Sequence, residues 1–385
     1  MGKDLLLLYF FSGTGNSYRA AMWMAETARR QSWEARVIPL DQAQPKQDLD
    51  AQADGARMVG LVCPTHGFTA PWAMIHFALR LPRRRNTAAG LASAARTTEG
   101  RSSAFAVLTR AGMKLGPVYS PGLDGTGAYL LALILALKGY RVLGAAGLDM
   151  PGSWTAVMPG FSRSTAEAIE ARARPTAEKF MGRVLAGQAA FWSILPLILG
   201  LALLPLSLGY LLFGRFFLAK LFYASTACDG CGLCARSCPV HAIRMTGKQN
   251  PRPYWTFLCE SCSRCINFCP RSAVEVSYPF GALGLYLGSL PVAALALDWL
   301  ARTVTQAAGW QSPLVETIIT YPYKLLSLAA AYGIFVLAMR VPLINRALTL
   351  ASPPHYYRRY REPGTHLADL RREPESPAEE ITHNP

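Results

Sequence analysis

"DLLLLYFFSGTGNSYRAAMWMAETARR", residues 4–30, decides how the first half of this chain folds. Residues 4–11 form a continuous apolar run, as expected of a strand covered on both faces. Residues 17–30 read as a helix that starts at a loop. Between them lies the turn "FSGTGNS", Phe11 to Ser17. Backbone N–H groups in such a turn point inward, the helix N-terminus adds positive potential, and hydroxyls donate hydrogen bonds. The turn therefore suits a phosphate. It is neither a Walker loop, because the Lys-Ser/Thr end is missing, nor G-x-G-x-x-G.

Outward from this unit, strand and helix signals keep alternating to about residue 180. Strands are expected at 34–40, 56–64, 102–110 and 140–151, and helices at 73–81 and 127–139. That order predicts an α/β, doubly wound parallel sheet. Residues 83–101, small, polar and basic, read as an exposed insertion. Residues 162–186 read as a charged helix leading out of the domain.

Ser12, Gly13, Thr14, Gly15, Asn16 and Ser17 resemble the flavodoxin phosphate loop, Ser/Thr-x-Thr-Gly-Asn-Ser/Thr. The resemblance implies a flavodoxin-like domain over 1–185 that binds FMN. It also implies two further FMN loops. "PTHGFTAPW" (64–72) sits where the first belongs, with His66, Phe68 or Trp72 to cover the ring. "TRAGMKLGP" (109–117) sits where the second belongs and begins at Thr109.

Eight of the nine cysteines fall in "CDGCGLCARSCP" (228–239) and "CESCSRCINFCP" (259–270). The spacing Cys-x2-Cys-x2-Cys-x3-Cys-Pro, twice, lets three thiolates wrap one cubane while the fourth reaches the other. Cys228, Cys231, Cys234 and Cys269 are assigned to one [4Fe–4S] cluster. Cys259, Cys262, Cys265 and Cys238 are assigned to the second. Structural zinc usually takes two cysteine pairs rather than two runs of four. The N-terminus does not read as a signal peptide; in a reducing cytosol, metal ligation is favoured over disulfides. Cys63, ending an apolar strand, reads as core packing. The module at 224–278 resembles the bacterial two-cluster ferredoxins, small α+β domains. With the first domain it resembles the fused flavodoxin-like ferredoxin family, over 1–185 and 220–280. That resemblance implies electron transfer to or from a redox partner protein.

Hydrophobic residues make up 51% of the chain and charged residues 16%, against roughly 25% in ordinary soluble domains. The formal net charge is +15. Basic charge beside apolar segments points to a cytoplasmic membrane face, not to nucleic acid. Residues 187–222 read as a Pro-broken re-entrant pair or as one crossing helix. Residues 279–350 read as a membrane helical hairpin, with a soluble core or dimer interface as the other reading. The tail, 352–385, rich in Pro, Glu and Arg, is expected to be disordered. Cationic flanks on both sides of 187–222 place both folded domains on the cytoplasmic side of the membrane.

The expected function is membrane-associated electron transfer between FMN and two clusters. The other reading is a redox-sensing or scaffold subunit without net flux. No catalytic substrate site is recognisable.

Overall fold

The computed structural model describes residues 4–50, 57–83, 102–192, 194–289 and 313–371. The expected insertion at 83–101, the second half of the segment 279–300 and most of the loop 301–318 lie outside them, as does the end of the tail.

The first domain runs β1 (Leu5–Phe10), α1 (Asn16–Arg30), β2 (Glu34–Pro39), α2 (Pro45–Asp50), β3 (Arg57–Pro64), α3 (Trp72–Arg80), β4 (Ser103–Leu115), β5 (Val118–Ser120), α4 (Gly127–Leu137), β6 (Arg141–Pro151), α5 (Arg163–Leu185) and β7 (Ala190–Phe191). The sheet order is β2-β1-β3-β4-β6-β7, with β5 paired antiparallel to β4. With the β5 hairpin set aside, this is the 2-1-3-4-5 order of flavodoxin-like folds. All of β1 is buried, because helices cover both faces. Leu6, Leu8 and Phe10 face α1 and α5, whereas Leu5, Leu7 and Tyr9 face α3 and α4.

The helix at 163–185 does not lead out of the domain. Ala166, Ile169, Ala173, Ala177, Phe180, Met181 and Val184 are buried along one of its sides. They cover β6 beside α1, so the charges read along the sequence form only its outer face.

Two short helices follow, α6 (Ile194–Ala202) and α7 (Leu204–Ala219), bent by 69°. The cysteine module contains β8 (Phe222–Ala224), α8 (Leu233–Arg236), β9 (Ile243–Thr246), β10 (Arg252–Trp255), α9 (Arg264–Asn267) and β11 (Val274–Val276). Its strands pair as β9–β10 and β8–β11, both antiparallel. Then come α10 (Tyr278–Ser289), α11 (Pro313–Ala338), α12 (Pro342–Leu350) and α13 (Pro353–Tyr356). Phe280, Tyr332, Phe335 and Met339 share a core with Phe222, Tyr223 and Trp255. Tyr332 Oη donates to the Phe222 carbonyl at 2.9 Å. One side of the C-terminal apolar region thus covers the cysteine module.

Among the described residues, no single helix is long and apolar enough to cross a membrane. Two bent pairs reach the length and composition together: α6 with α7, and Lys324–Ala338 with Pro342–Leu350, bent by 108°.

The tail expected to be disordered is ordered over 352–371. Arg358 O accepts from Gly160 N at 2.8 Å, and Glu362 N donates to Thr14 O at 2.8 Å. Glu362 holds Arg19 through two hydrogen bonds, at 2.8 and 3.1 Å. Tyr360 Oη donates to Asn16 Oδ1 at 2.8 Å, and Leu370 is fully buried. Composition counts Glu362 and Arg359 as solvated, but Glu362 finds Arg19 on the first domain and Arg359 finds Glu275 on the cysteine module, at 3.2 Å. Burial, reinforced by Glu362, pushes the neighbouring Glu170 up to about 7.

Candidate functional site

The carboxyl ends of β1, β3, β4 and β6 meet at one edge of the sheet, where open α/β sheets bind ligands. They surround a cavity of about 180 Å³, partly open to solvent. Ser12, Gly13, Thr14, Asn16 and Ser17 supply one wall. Pro64 to Gly67 run out of the end of β3, Thr109 to Ala111 lie in β4, and Met150 to Trp154 run from the end of β6 into the loop that follows.

The loop after β1 is held from several sides. Gly15 has φ 108° and opens α1, and its N–H donates to Ser12 Oγ at 3.1 Å. A side chain at residue 15 would meet Glu362 Cβ at 2.8 Å. Asn16 Nδ2 donates to Pro151 O at 2.7 Å, tying the start of α1 to the end of β6. Ser17 Oγ and Thr109 Oγ1 are 2.8 Å apart, tying the first turn of α1 to β4. Arg110, on the cavity wall, is fixed by Asp124 and Asp149 at 2.8 Å each. The first amides of α1 have no intrahelical acceptor, and Asn16 and Ser17 line this space.

Of the residues expected from sequence to hold FMN, the structure brings Ser12, Gly13, Thr14, Asn16, Ser17, His66 and Thr109 around the cavity. Gly15 and Phe68 do not line it. Gly15 supplies the turn, and Phe68 gives its carbonyl to Thr126 N at 3.1 Å. Trp72 lies elsewhere, stacked on His76 beneath Arg215. Sequence reasoning missed Trp154 and Tyr210. Trp154 follows the fifth parallel strand, so the rule that ligands sit at strand carboxyl ends had pointed there. Tyr210 comes from the oily stretch and carries no such signal. Its Oη lies 3.3 Å from His66 Nδ1. Burial lowers His66 to about 4, so the ring is neutral at pH 7.

The cavity contents fit a phosphorylated aromatic cofactor. Hydroxyls and a helix N-terminus meet the phosphate's needs, and Met150, Trp154, Met158, Tyr210 and Leu218 give apolar walls. Glu260 is the one carboxylate among the lining residues.

The cysteines line two further cavities. Cys228, Cys231, Cys234 and Cys269 border the first, and Cys238, Cys259 and Cys262 the second. Cys265 borders both. None of the nine cysteines is in a disulfide, and Cys63 is buried in the sheet core.

The two runs repeat each other in backbone conformation. Gly230 and Ser261, two residues after the first cysteine, have φ 75° and 51°. Gly232 and Ser263, two further on, have φ 71° and 61°. A left-handed serine costs about 1 kcal/mol more than glycine, and it is kept because the turn aims amides at sulfur. Ser261 N donates to Cys259 Sγ at 3.4 Å, Ala242 N to Cys238 Sγ at 3.3 Å and Ala273 N to Cys269 Sγ at 3.3 Å. Thiolate sets with such N–H···S bonds fit iron–sulfur cubanes.

The decisive likeness is to one family model. Residues 227–273 match the 4Fe-4S dicluster domain. The dicluster domain covers only this module, and the first domain is identified by its strand order. Solved structures similar to that domain include rubredoxin oxygen:oxidoreductase from Desulfovibrio gigas, at 14% identity and TM-score 0.28. That alignment covers 48% of this chain and 38% of the oxidoreductase, so the chain spans under half of that protein's length. A flavodoxin from Streptococcus pneumoniae TIGR4 aligns at 15% identity, over 46% of this chain and 99% of its own, with TM-score 0.27. Flavodoxin 1 from Bacillus cereus aligns at 14% identity, over 46% and 97%, with TM-score 0.28. The search of curated proteins found no match.

The dicluster domain and the sheet-edge cavity touch. A Cβ on Gly13 would lie 1.8 Å from the Cys262 carbonyl oxygen. Arg264 Nη2 donates to Ser12 O at 2.5 Å, and Thr155 Oγ1 donates to Asn267 Oδ1 at 2.8 Å.

Proposed function

We propose that this protein transfers electrons between FMN, held at the sheet edge, and two [4Fe–4S] clusters held by the assigned cysteine sets. The observation that carries this reading is Cys262, which borders both the sheet-edge cavity and the second cysteine cavity. Bound flavin exchanges one or two electrons, and each cluster exchanges one. The chain itself supplies short, fixed separations. Gly13 lets the phosphate loop lie on the Cys262 backbone, and Cys265 joins the two cysteine cavities. Cys231 is exposed, so the far cluster faces a redox partner protein across solvent.

The test is anaerobic titration with less dithionite than the centres can accept, followed by rapid spectroscopy. Flavin and cluster absorbances are expected to reach a common redox poise within the mixing time. Centres that keep independent, mismatched redox states would sink the relay and favour the sensing or scaffold reading.

The proposal includes attachment to the cytoplasmic membrane, with both domains on the cytoplasmic side. Their direct contact supports a shared side. Leu195 on α6, Leu212 on α7 and Leu343 on α12 are 67%, 60% and 79% exposed. Bent, leucine-rich pairs of this kind suit an interfacial position, and the net charge of +15 suits anionic lipid. The full chain is expected to sediment with vesicles containing anionic phospholipid. If it stays monodisperse in the supernatant without detergent, the membrane assignment is wrong.

A further inference from the structure

We infer that Arg264 is a positioning residue that sets the reduction potential of the inner cluster, the one assigned to Cys238, Cys259, Cys262 and Cys265. This rests on the two-cluster reading above. The repeated backbone provides an internal control. Arg264 is the first residue of α9, directly after the left-handed Ser263. Its counterpart in the first run is Leu233, the first residue of α8, directly after the left-handed Gly232. Each lines its own cysteine cavity, Arg264 the inner and Leu233 the outer. The same place therefore carries a cation at one centre and a neutral side chain at the other.

Arg264 is 2% exposed. Its Nη1 donates to Ser237 O at 2.9 Å and its Nη2 to Ser12 O at 2.5 Å. Its Nε is buried without an acceptor. Among the described residues, no carboxylate forms an ion pair with it. Burying an uncompensated guanidinium is costly. Glu260 lines the same cavity without pairing with Arg264; the compensation available to the guanidinium is the negative charge of a thiolate-ligated cluster, which grows by one when the cluster is reduced. A nearby buried cation favours the reduced state, and net charge and hydrogen bonding are established determinants of cluster potential. The two carbonyls fix the guanidinium between the phosphate loop and the first cysteine run, so its position does not relax.

Redox titration of the full-length protein with dithionite, followed by low-temperature EPR, tests this. Each cluster takes one electron, and no bond breaks. The wave lost in a Cys262→Ala protein identifies the inner cluster. Arg264→Leu, which makes the two loops alike, is expected to shift that wave to more negative potential and leave the outer one in place. Arg264→Lys is expected to restore most of the shift. Leu233→Arg is expected to move the outer wave to more positive potential, and it decides the matter if Arg264→Leu does not assemble. An inner wave that is unmoved in Arg264→Leu overturns the inference, as does an outer wave unmoved in Leu233→Arg. Wild-type protein with iron for only one cluster overturns the two-cluster reading itself.

Discussion

Cys262→Ala is expected to lower the iron content from about eight to about four atoms per chain and to abolish electron exchange between flavin and cluster. The side chain faces the inner cysteine cavity, while the Cys262 carbonyl lies against Gly13. Alanine removes the thiolate and keeps that carbonyl, so the phosphate loop keeps its seat and flavin should still be bound. Cys231→Ala offers the contrast. Cys231 belongs to the outer, solvent-facing set. Its loss should also cost about four irons, yet leave the flavin exchanging with the remaining cluster. Iron analysis with stopped-flow spectroscopy of both variants checks the assignment. If Cys262→Ala retained eight irons, or if Cys231→Ala alone broke the exchange, the order of centres would be wrong.

The second large effect is expected at Gly13. An alanine there would bring Cβ to 1.8 Å from the Cys262 oxygen and 2.8 Å from its carbonyl carbon. Neither atom belongs to a flexible side chain, so one backbone must move. Overpacking of this kind typically costs about 1–3 kcal/mol, and here it also pries the two cofactor loops apart. Gly13→Ala should therefore lower the melting temperature and slow exchange between flavin and cluster, although no ligand is lost. Gly182→Ala is the control. Gly182 lies within α5, and nothing crowds the position of a new Cβ. Alanine there should be neutral or stabilise by up to about 1 kcal/mol. Equal thermal shifts in the two variants would show that the Gly13 contact is not tight.

Much of this architecture is legible in residue order. A six-residue strand with no polar position announces a sheet covered on both faces. A Ser-Gly-Thr-Gly-Asn-Ser turn before a helix announces an anion site. The cysteine spacing predicts that each run's fourth thiolate serves the other run's centre. These signals are local, because strand period, turn conformation and ligand spacing all act over a few residues.

Other features depend on segments distant in sequence. The tail resembles a solvated chain until Glu362 meets Arg19 and Tyr360 meets Asn16, more than 340 positions earlier. Tyr210 belongs to an oily stretch, and only packing brings it to His66. Arg264 reads as one more surface cation of a basic chain until burial leaves it without a carboxylate. The sequence by itself determined the sheet, the glycine-rich turn after β1 and the doubled cysteine run of the dicluster domain. Only the tertiary structure decided that Gly13 rests on Cys262 and that a buried cation stands at one cysteine cavity and not the other. Such contacts join residues whose separation along the chain carries no periodic trace, so they exist only once the two domains are packed together.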